Sequence, residues 1–212
     1  MSAFNERRVQ DVQKLRQLAE QAPTRLKIGR VGGAPPNQIE IELHFKTAPS
    51  RQYPGTVQDV TRVTIDLPSR YPLVAPTAAV RTPILHPNVY SSGQICLGVT
   101  WMPTLGLDFL VKRIVQIITF DPAVLNEKSP ANGDALSWYR DAVRRYAHAF
   151  PTDTGLLTTA APERKMSWTN IATEPAKAVM ACPHCSGKLS LPAGKRGHVK
   201  CPRCQQSFEV RT

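Results

Sequence analysis

Hydrophobic and polar positions alternate with two different periods along this chain, and the change of period divides it. Over residues 4–20, Val9, Val12, Leu15 and Leu18 recur on one side, with Arg7, Arg8, Lys14 and Arg16 elsewhere. That spacing predicts an amphipathic helix. Residues 25–31 read as a first strand, and the cluster from Gly32 to Asn37 reads as a turn. Ile39, Ile41, Leu43 and Phe45 then alternate with Glu40, Glu42, His44 and Lys46, and Val63, Ile65 and Leu67 repeat the pattern. A period of two marks half-buried strands. A short strand is expected near Ala78–Arg81, after the proline-punctuated stretch Leu67–Pro76. Residues 83–106 have turn residues and little periodicity, and an ordered loop of that length is usually functional. Leu110, Val111, Ile114, Val115, Ile117 and Ile118 predict a buried helix over 107–120. Ala135, Trp138, Ala142, Tyr146 and Ala149 predict an amphipathic one over 132–149.

A helix, about four strands in one block and then helices imply an α+β domain built on a four-stranded antiparallel meander. That domain is expected to fill residues 1–150. Residues 151–178, rich in Thr, Ala and Pro, read as a linker. Nineteen prolines argue against a helical bundle. No run of 18 apolar residues occurs, so no membrane partner is expected. The N-terminal stretch is charged and lacks an apolar core, so no secretory signal is expected. The net charge of +11 is spread along the chain without a block of like charges. Such a surface can meet nucleic acid or an acidic protein, or simply be solvated.

The cysteines sharpen the picture. Cys182 and Cys185 form one CxxC pair and Cys201 and Cys204 another, fifteen residues apart, with Cys96 alone upstream. An odd count with two CxxC pairs is not a secreted disulfide framework; it implies a reducing, cytoplasmic setting. The paired spacing fits a four-thiolate structural Zn2+ site. Lys188–Leu191 and Phe208–Val210 look like short strands, so residues 179–212 read as a zinc ribbon folded around its metal. A redox dithiol is the rival reading. His184 and His198 are bystanders, because four sulfurs already close the shell. Phe208 alone offers a stacking surface, which counts against sequence-specific nucleic-acid binding.

A lone cysteine is more often a small buried hydrophobe than a nucleophile, and Cys96 gains meaning from its surroundings. His86-Pro87-Asn88 precedes it, Leu97 follows, Tyr71-Pro72-Leu73-Val74-Ala75-Pro76 lies upstream, and Trp101-Met102-Pro103 and Asn126–Asn132 lie downstream. In content, spacing and order these segments resemble the ubiquitin-conjugating enzymes, over roughly residues 4–150. The resemblance implies a UBC-like fold and a transferase. It implies that Cys96 accepts a ubiquitin-like modifier from an activating enzyme as a thioester and passes it to an amine of a protein target. It also implies that Asn88 is an amide donor to the carbonyl oxygen or a brace for the loop, that His86 holds the loop rather than acting as a base, and that Ser129 orients the incoming lysine. Arg7, Arg8, Lys14 and Arg16 fall where the family meets its activating enzyme.

The sequence departs from the family pattern in places. The interval from Cys96 to Trp101 is short, Gly98 stands where Asp or Asn is common, and Lys128 neighbours Ser129. A conjugating domain followed by a zinc ribbon looks like the compact bacterial conjugation systems, some of which resemble antiphage operons. Two other function classes stand beside the transferase: a non-catalytic ubiquitin-fold binding module, and a nucleic-acid-binding adaptor driven by the basic ribbon.

Overall fold

The computed structural model describes residues 2–155, 157, 177–192, 194 and 196–211. The rest of the expected linker, 156 and 158–176, lies outside the described residues. The chain divides into two compact units, Met1–Ala160 and Ala161–Thr212.

The first unit opens with α1, Ala3–Gln21, whose Ser2 side chain caps the first turn by accepting from the Phe4 amide. Four antiparallel strands follow: β1 Leu26–Gly32, β2 Gln38–Leu43, β3 Thr61–Asp66 and β4 Thr77–Val80, paired in chain order as a meander. The register sets Ile39 opposite Ile65, Ile41 opposite Val63, and Val63 opposite Val80. One face of the sheet is therefore continuously apolar. Helix α2, Leu107–Ile118, covers it with seven buried residues, from Leu107 and Leu110 to Ile117 and Ile118. Val12, Leu15 and Leu18 of α1 complete the same core. Each such side chain contributes about 1.5–3 kcal/mol by leaving water.

Two sequence expectations for α1 need correction. Val9 is 47% exposed and does not join the core stripe. In its place Arg8 and Asp11 are buried. Arg8 Nη2 donates to the Pro68 carbonyl and Nη1 to that of Pro36, so Arg8 ties the helix to the proline-rich loops and offers no charge to a partner. Arg7 is half-buried and donates to Asp11 and to the Leu105 carbonyl, which leaves Lys14 and Arg16 as the exposed bases of the four.

Helix α3, Gly133–Arg145, starts at Asn132, whose Oδ1 accepts from the Ala135 amide. It stops short of the expected 149, and a single 3-10 turn at Ala147–Ala149 follows. Its buried Leu136 and Tyr139 close a second cluster with Phe120, Ala48 and Tyr53. The first unit also continues past residue 150. The Thr152 amide donates to Thr119, Asp153 accepts from Arg25 and from the Lys46 amide, and Leu157 is 4% exposed in the main core. These residues had read as linker because Thr, Asp and Gly give no periodicity.

The second unit consists of two antiparallel hairpins, β5 Lys177–Ala181 with β6 Lys188–Pro192, and β7 Arg196–Lys200 with β8 Ser207–Arg211. Strands β6 and β8 cover the two expected from sequence. Strands β5 and β7 were not legible; β7 carries Val199 as its single large apolar residue. Among the described residues no helix is long and apolar enough to cross a membrane.

Candidate active site and metal centre

The long loop between β4 and α2 is folded back on the sheet, which is how it holds a defined shape without periodicity. The Ile95 amide donates to Ala78, and the Val80 amide donates to Gly93. Gly93 makes this return at φ +86°, and a side chain there would meet the Val80 carbonyl at 2.5 Å. Cys96 emerges from the fold half-exposed, with its amide donating to the Asn88 carbonyl at 2.8 Å. Val89 bridges Ile95, so the histidine-proline-asparagine segment and the cysteine segment run as a short antiparallel pair.

Asn88 is completely buried, and its side chain is held by two hydrogen bonds and one longer contact. Nδ2 donates to the Val124 carbonyl at 3.1 Å and lies 3.5 Å from the Cys96 carbonyl, while Oδ1 accepts the Asn126 amide at 3.1 Å. Asn88 therefore braces the Cys96 loop against the segment after α2. His86 is equally buried. Its Nδ1 accepts the Asn88 amide at 2.9 Å, and its ring centre lies 4.2 Å from that of Phe120. Burial pushes its pKa down to about 3, against a weaker upward pull from the Ile117 backbone. A neutral, enclosed imidazole is not placed to take a proton from an incoming amine.

Ser129 is exposed, and its backbone is clipped from both directions by one side chain. Asn126 Nδ2 donates to the Ser129 carbonyl at 2.6 Å, and Asn126 Oδ1 accepts the Ser129 amide at 3.1 Å. Asn126 thus links Ser129 to Asn88. Its position in the Asn126–Asn132 segment was on view in the sequence, but nothing in its residue type announced this linking role. Downstream of Cys96, the Trp101 indole N–H donates to Pro72 at 2.8 Å and its ring sits 5.9 Å from that of Tyr71. The Tyr71 hydroxyl in turn donates to buried Asp11. Burial, followed by that carboxylate, pushes the Tyr71 pKa far above its usual range.

In the second unit, the four expected sulfurs come together within 4.8 Å of one another. Cys182 and Cys204 are 3.8 Å apart at sulfur, and Cys185 and Cys201 are 3.7 Å apart. A tetrahedron of thiolates around an ion at about 2.3 Å has edges of about 3.8 Å, whereas a disulfide needs about 2.05 Å. The donor set therefore fits one metal ion. The two knuckles repeat each other. In each, the first cysteine's amide donates five residues ahead, from Cys182 to Gly187 and from Cys201 to Gln206, and the residue after the second cysteine turns at positive φ, Ser186 at 57° and Gln205 at 59°. The backbone amide of Cys204 is the largest influence holding the Cys201 thiol down at about 6, with that of Arg203 assisting. Cys204 moves the opposite way, up to about 12: the Gln206 backbone amide lowers it, but burial and the hydrogen bonds to the three neighbouring sulfurs outweigh that, so the four thiols do not ionise together without a cation to share their charge. Cys182, Leu189 and Cys201 are the buried centre of this unit, so the sulfur cluster is much of its core.

Comparison with known proteins places these features. The sequence profile of the family described as "Ubiquitin-conjugating enzyme" matches residues 10–152. The chain is 37% identical over 79 residues to "Ubiquitin-conjugating enzyme E2 2" of Mycosarcoma maydis, a stretch covering 36% of this chain and 40% of that protein. It is 32% identical over 88 residues to the protein of the same description from Yarrowia lipolytica, covering 40% and 56% of the two chains. The chain thus spans about half the length of these relatives. Among solved structures, "S. cerevisiae Ubc12" superposes with a TM-score of 0.51 at 21% identity, over 70% of this chain and 77% of that one, and shares the fold.

Proposed function

Because the chain belongs to the ubiquitin-conjugating enzyme family, we propose that it carries a ubiquitin-like modifier as a thioester on Cys96 and transfers it to an amine of a protein target. The observation that supports this reading most is the half-exposed Cys96 on a loop pinned by the buried Asn88 amide. In the first step the Cys96 thiolate attacks the thioester that an activating enzyme presents. A new carbon–sulfur bond forms at Cys96, and the activating enzyme's thiolate leaves. In the second step a target amine, a lysine in this reading, attacks the same carbonyl carbon. An amide forms, the amine loses a proton, and the Cys96 thiolate is released. Neither step consumes ATP or a redox cofactor.

The neighbours divide the work. Asn88 keeps the loop in place through Val124 and Asn126. Its remaining N–H has only the 3.5 Å contact to the Cys96 carbonyl, and this is the donor that a developing oxyanion can claim. His86 supports Asn88 from below as a neutral acceptor. Ser129, held by Asn126 at the exposed rim, is the group offered to the incoming amine. Zn2+ is the ion that best suits four thiolates at tetrahedral spacing; bound by Cys182, Cys185, Cys201 and Cys204, it supplies folding energy to the ribbon and no chemistry to Cys96. A role in a bacterial antiphage conjugation pathway rests on the pairing of this domain with a ribbon, and neighbouring genes for an activating enzyme, a modifier and a metalloprotease are its test.

The decisive experiment mixes the protein with a candidate activating enzyme, modifier and ATP and resolves the products without reductant. A covalent adduct that thiol reductant removes, and that Cys96→Ala abolishes completely, supports the carrier reading. No adduct with a modifier known to be activated overturns it in favour of a non-catalytic binding module.

A further inference from the structure

The stretch immediately after Cys96 packs one side chain, Leu97, against the main core, and its backbone is held by one polar tether. Among the described residues, Leu97, Gly98, Val99 and Thr100 make a single hydrogen bond, from Arg113 Nε on α2 to the Leu97 carbonyl at 3.0 Å. On the other side of the cysteine the chain is tied by the Cys96 amide to Asn88, by Ile95 to Ala78 and by Tyr90 to Gln94. Beyond the stretch, Trp101 is anchored to Pro72. The reacting sulfur therefore sits where a well-tied segment meets a segment with one tether.

Arg113 suits this role. It is half-buried beside the loop, and Gly98 turns at φ +62° with its would-be side-chain position 3.7 Å from Arg113 Nη2. The left-handed φ favours glycine there, while the spacing to the guanidinium is that of an ordinary contact. Among the described residues no carboxylate forms an ion pair with that group. Asp121, the nearest acid to influence it, uses Oδ2 on Gln116 and Oδ1 on the Ala123 amide. The short interval between Cys96 and Trp101 leaves no residues to brace themselves against one another, so the brace comes from the helix below.

We infer that Arg113 is a positioning residue for the transfer reaction: by holding the Leu97 carbonyl it fixes the Cys96 sulfur for attack by the amine. This rests on the reading of Cys96 as the carrier. Displacing a reacting atom by a fraction of an ångström slows attack more than it weakens binding, so the effect falls on turnover. A planar fork donating at Nε is not reproduced by an ammonium, so lysine restores the charge without restoring the hold.

The test uses the full chain with Arg113→Met and Arg113→Lys. With loaded thioester and free lysine as acceptor, Arg113→Met is expected to lower the saturating discharge rate by about tenfold, with the KM for lysine and the melting temperature unchanged. Arg113→Lys is expected to recover a minor part of that loss. A second readout does not need the modifier: the rate at which iodoacetamide alkylates Cys96, followed with pH to its plateau. Release of the loop raises the plateau several-fold in both variants. Wild-type discharge by Arg113→Met, full rescue by lysine, or a loss confined to KM overturns the inference. If wild-type protein takes up no modifier, the carrier reading fails. The transfer role of Arg113 falls with it, and the alkylation plateau then separates the two failures: raised in both variants, Arg113 still holds the loop; unchanged, the tether itself is overturned.

Discussion

Cys96 and the ribbon cysteines are the same side chain in opposite circumstances. Cys96 stands by itself at the surface of a fold whose core is made by Leu15, Ile39, Ile41, Leu110 and Ile114. Nothing in that fold depends on its sulfur, so the sulfur is free to form and break bonds. Cys182 and Cys201 are buried and lie with Cys185 and Cys204 at the centre of two short hairpins that have Leu189, Val210 and a little else to bury. There the sulfurs are the architecture, and reactivity would cost the fold. The difference teaches that a cysteine is a reagent or a scaffold according to what else supports the backbone around it.

Metal removal is the strongest way to break that comparison. A unit of this size buries too little apolar surface to fold by itself, and structural zinc supplies about 10–16 kcal/mol of apparent binding free energy in comparable small domains. A strong chelator, or Cys201→Ser, is expected to collapse the amide dispersion of residues 177–211 in NMR spectra. The signals of α1 and the meander are expected to stay. If the ribbon signals survive chelation, the sulfurs are not its scaffold.

Asn88→Ala sharpens the other half. It deletes an acceptor for the Asn126 amide and a donor for the Val124 carbonyl inside the protein. Leaving buried partners unpaired costs about 1–3 kcal/mol each, so urea unfolding is expected to show a loss of about 2–6 kcal/mol. Transfer is expected to slow as well, by a factor of about 10²–10³, and slowed transfer with undiminished stability would remove Asn88 from the list of braces and leave it the donor role alone.

Much of this was legible in the sequence, for reasons that differ by region. The period of two in Ile39, Ile41 and Leu43 and the near-continuous apolar face of α2 are backbone geometry written directly in residue type, and these elements stand where they were expected. The sulfur cluster was equally plain, since two CxxC turns fifteen residues apart suit one four-thiolate site better than a redox pair. Arg8 misled, because a charge on a helix reads as solvent-facing until a carbonyl such as that of Pro68 arrives from 60 residues away. The same holds for Asn126 and Arg113: their importance lies in which backbone groups they reach, and the chain fold alone brings those groups near. Strand β7 escaped because its pairing with β8 is imposed by the knuckles and not by its own Arg, Gly, His and Lys.

His86 offers a smaller and cleaner contrast, between an ionisable group used for structure and one used for chemistry. Its pKa is lowered in the folded protein, from about 6.5 to about 3, by burial. Between those values the unfolded chain binds a proton that the native state refuses. Stability is therefore unaffected above pH 6.5 and is lost as pH falls from there towards 3, by about 1.4 kcal/mol per pH unit. Urea unfolding free energies measured at pH 5.5 and 4.5 are expected to show that slope as the difference between the wild type and His86→Gln. The rate of thioester discharge should carry no inflection from this residue. An inflection near neutral pH that His86→Gln removes would return it to the role of a base.

Ser129 gives the smallest expected effect and the finest division. Its backbone is held by Asn126, while its hydroxyl makes no hydrogen bond among the described residues. Removing the hydroxyl in Ser129→Ala should leave stability within about 0.5 kcal/mol. Discharge of the thioester to lysine should fall by about two- to threefold, the worth of one solvent-exposed neutral hydrogen bond to the amine. A fall beyond tenfold would mean that the hydroxyl contacts the amine in a site closed to water, and that the acceptor is recognised by a more enclosed surface than the exposed rim suggests. No fall at all would assign the contribution of this segment to its backbone. The segment would then resemble the ribbon knuckles more than the carrier loop: a turn whose side chains matter for the shape they impose, next to the one sulfur that has no shape to hold.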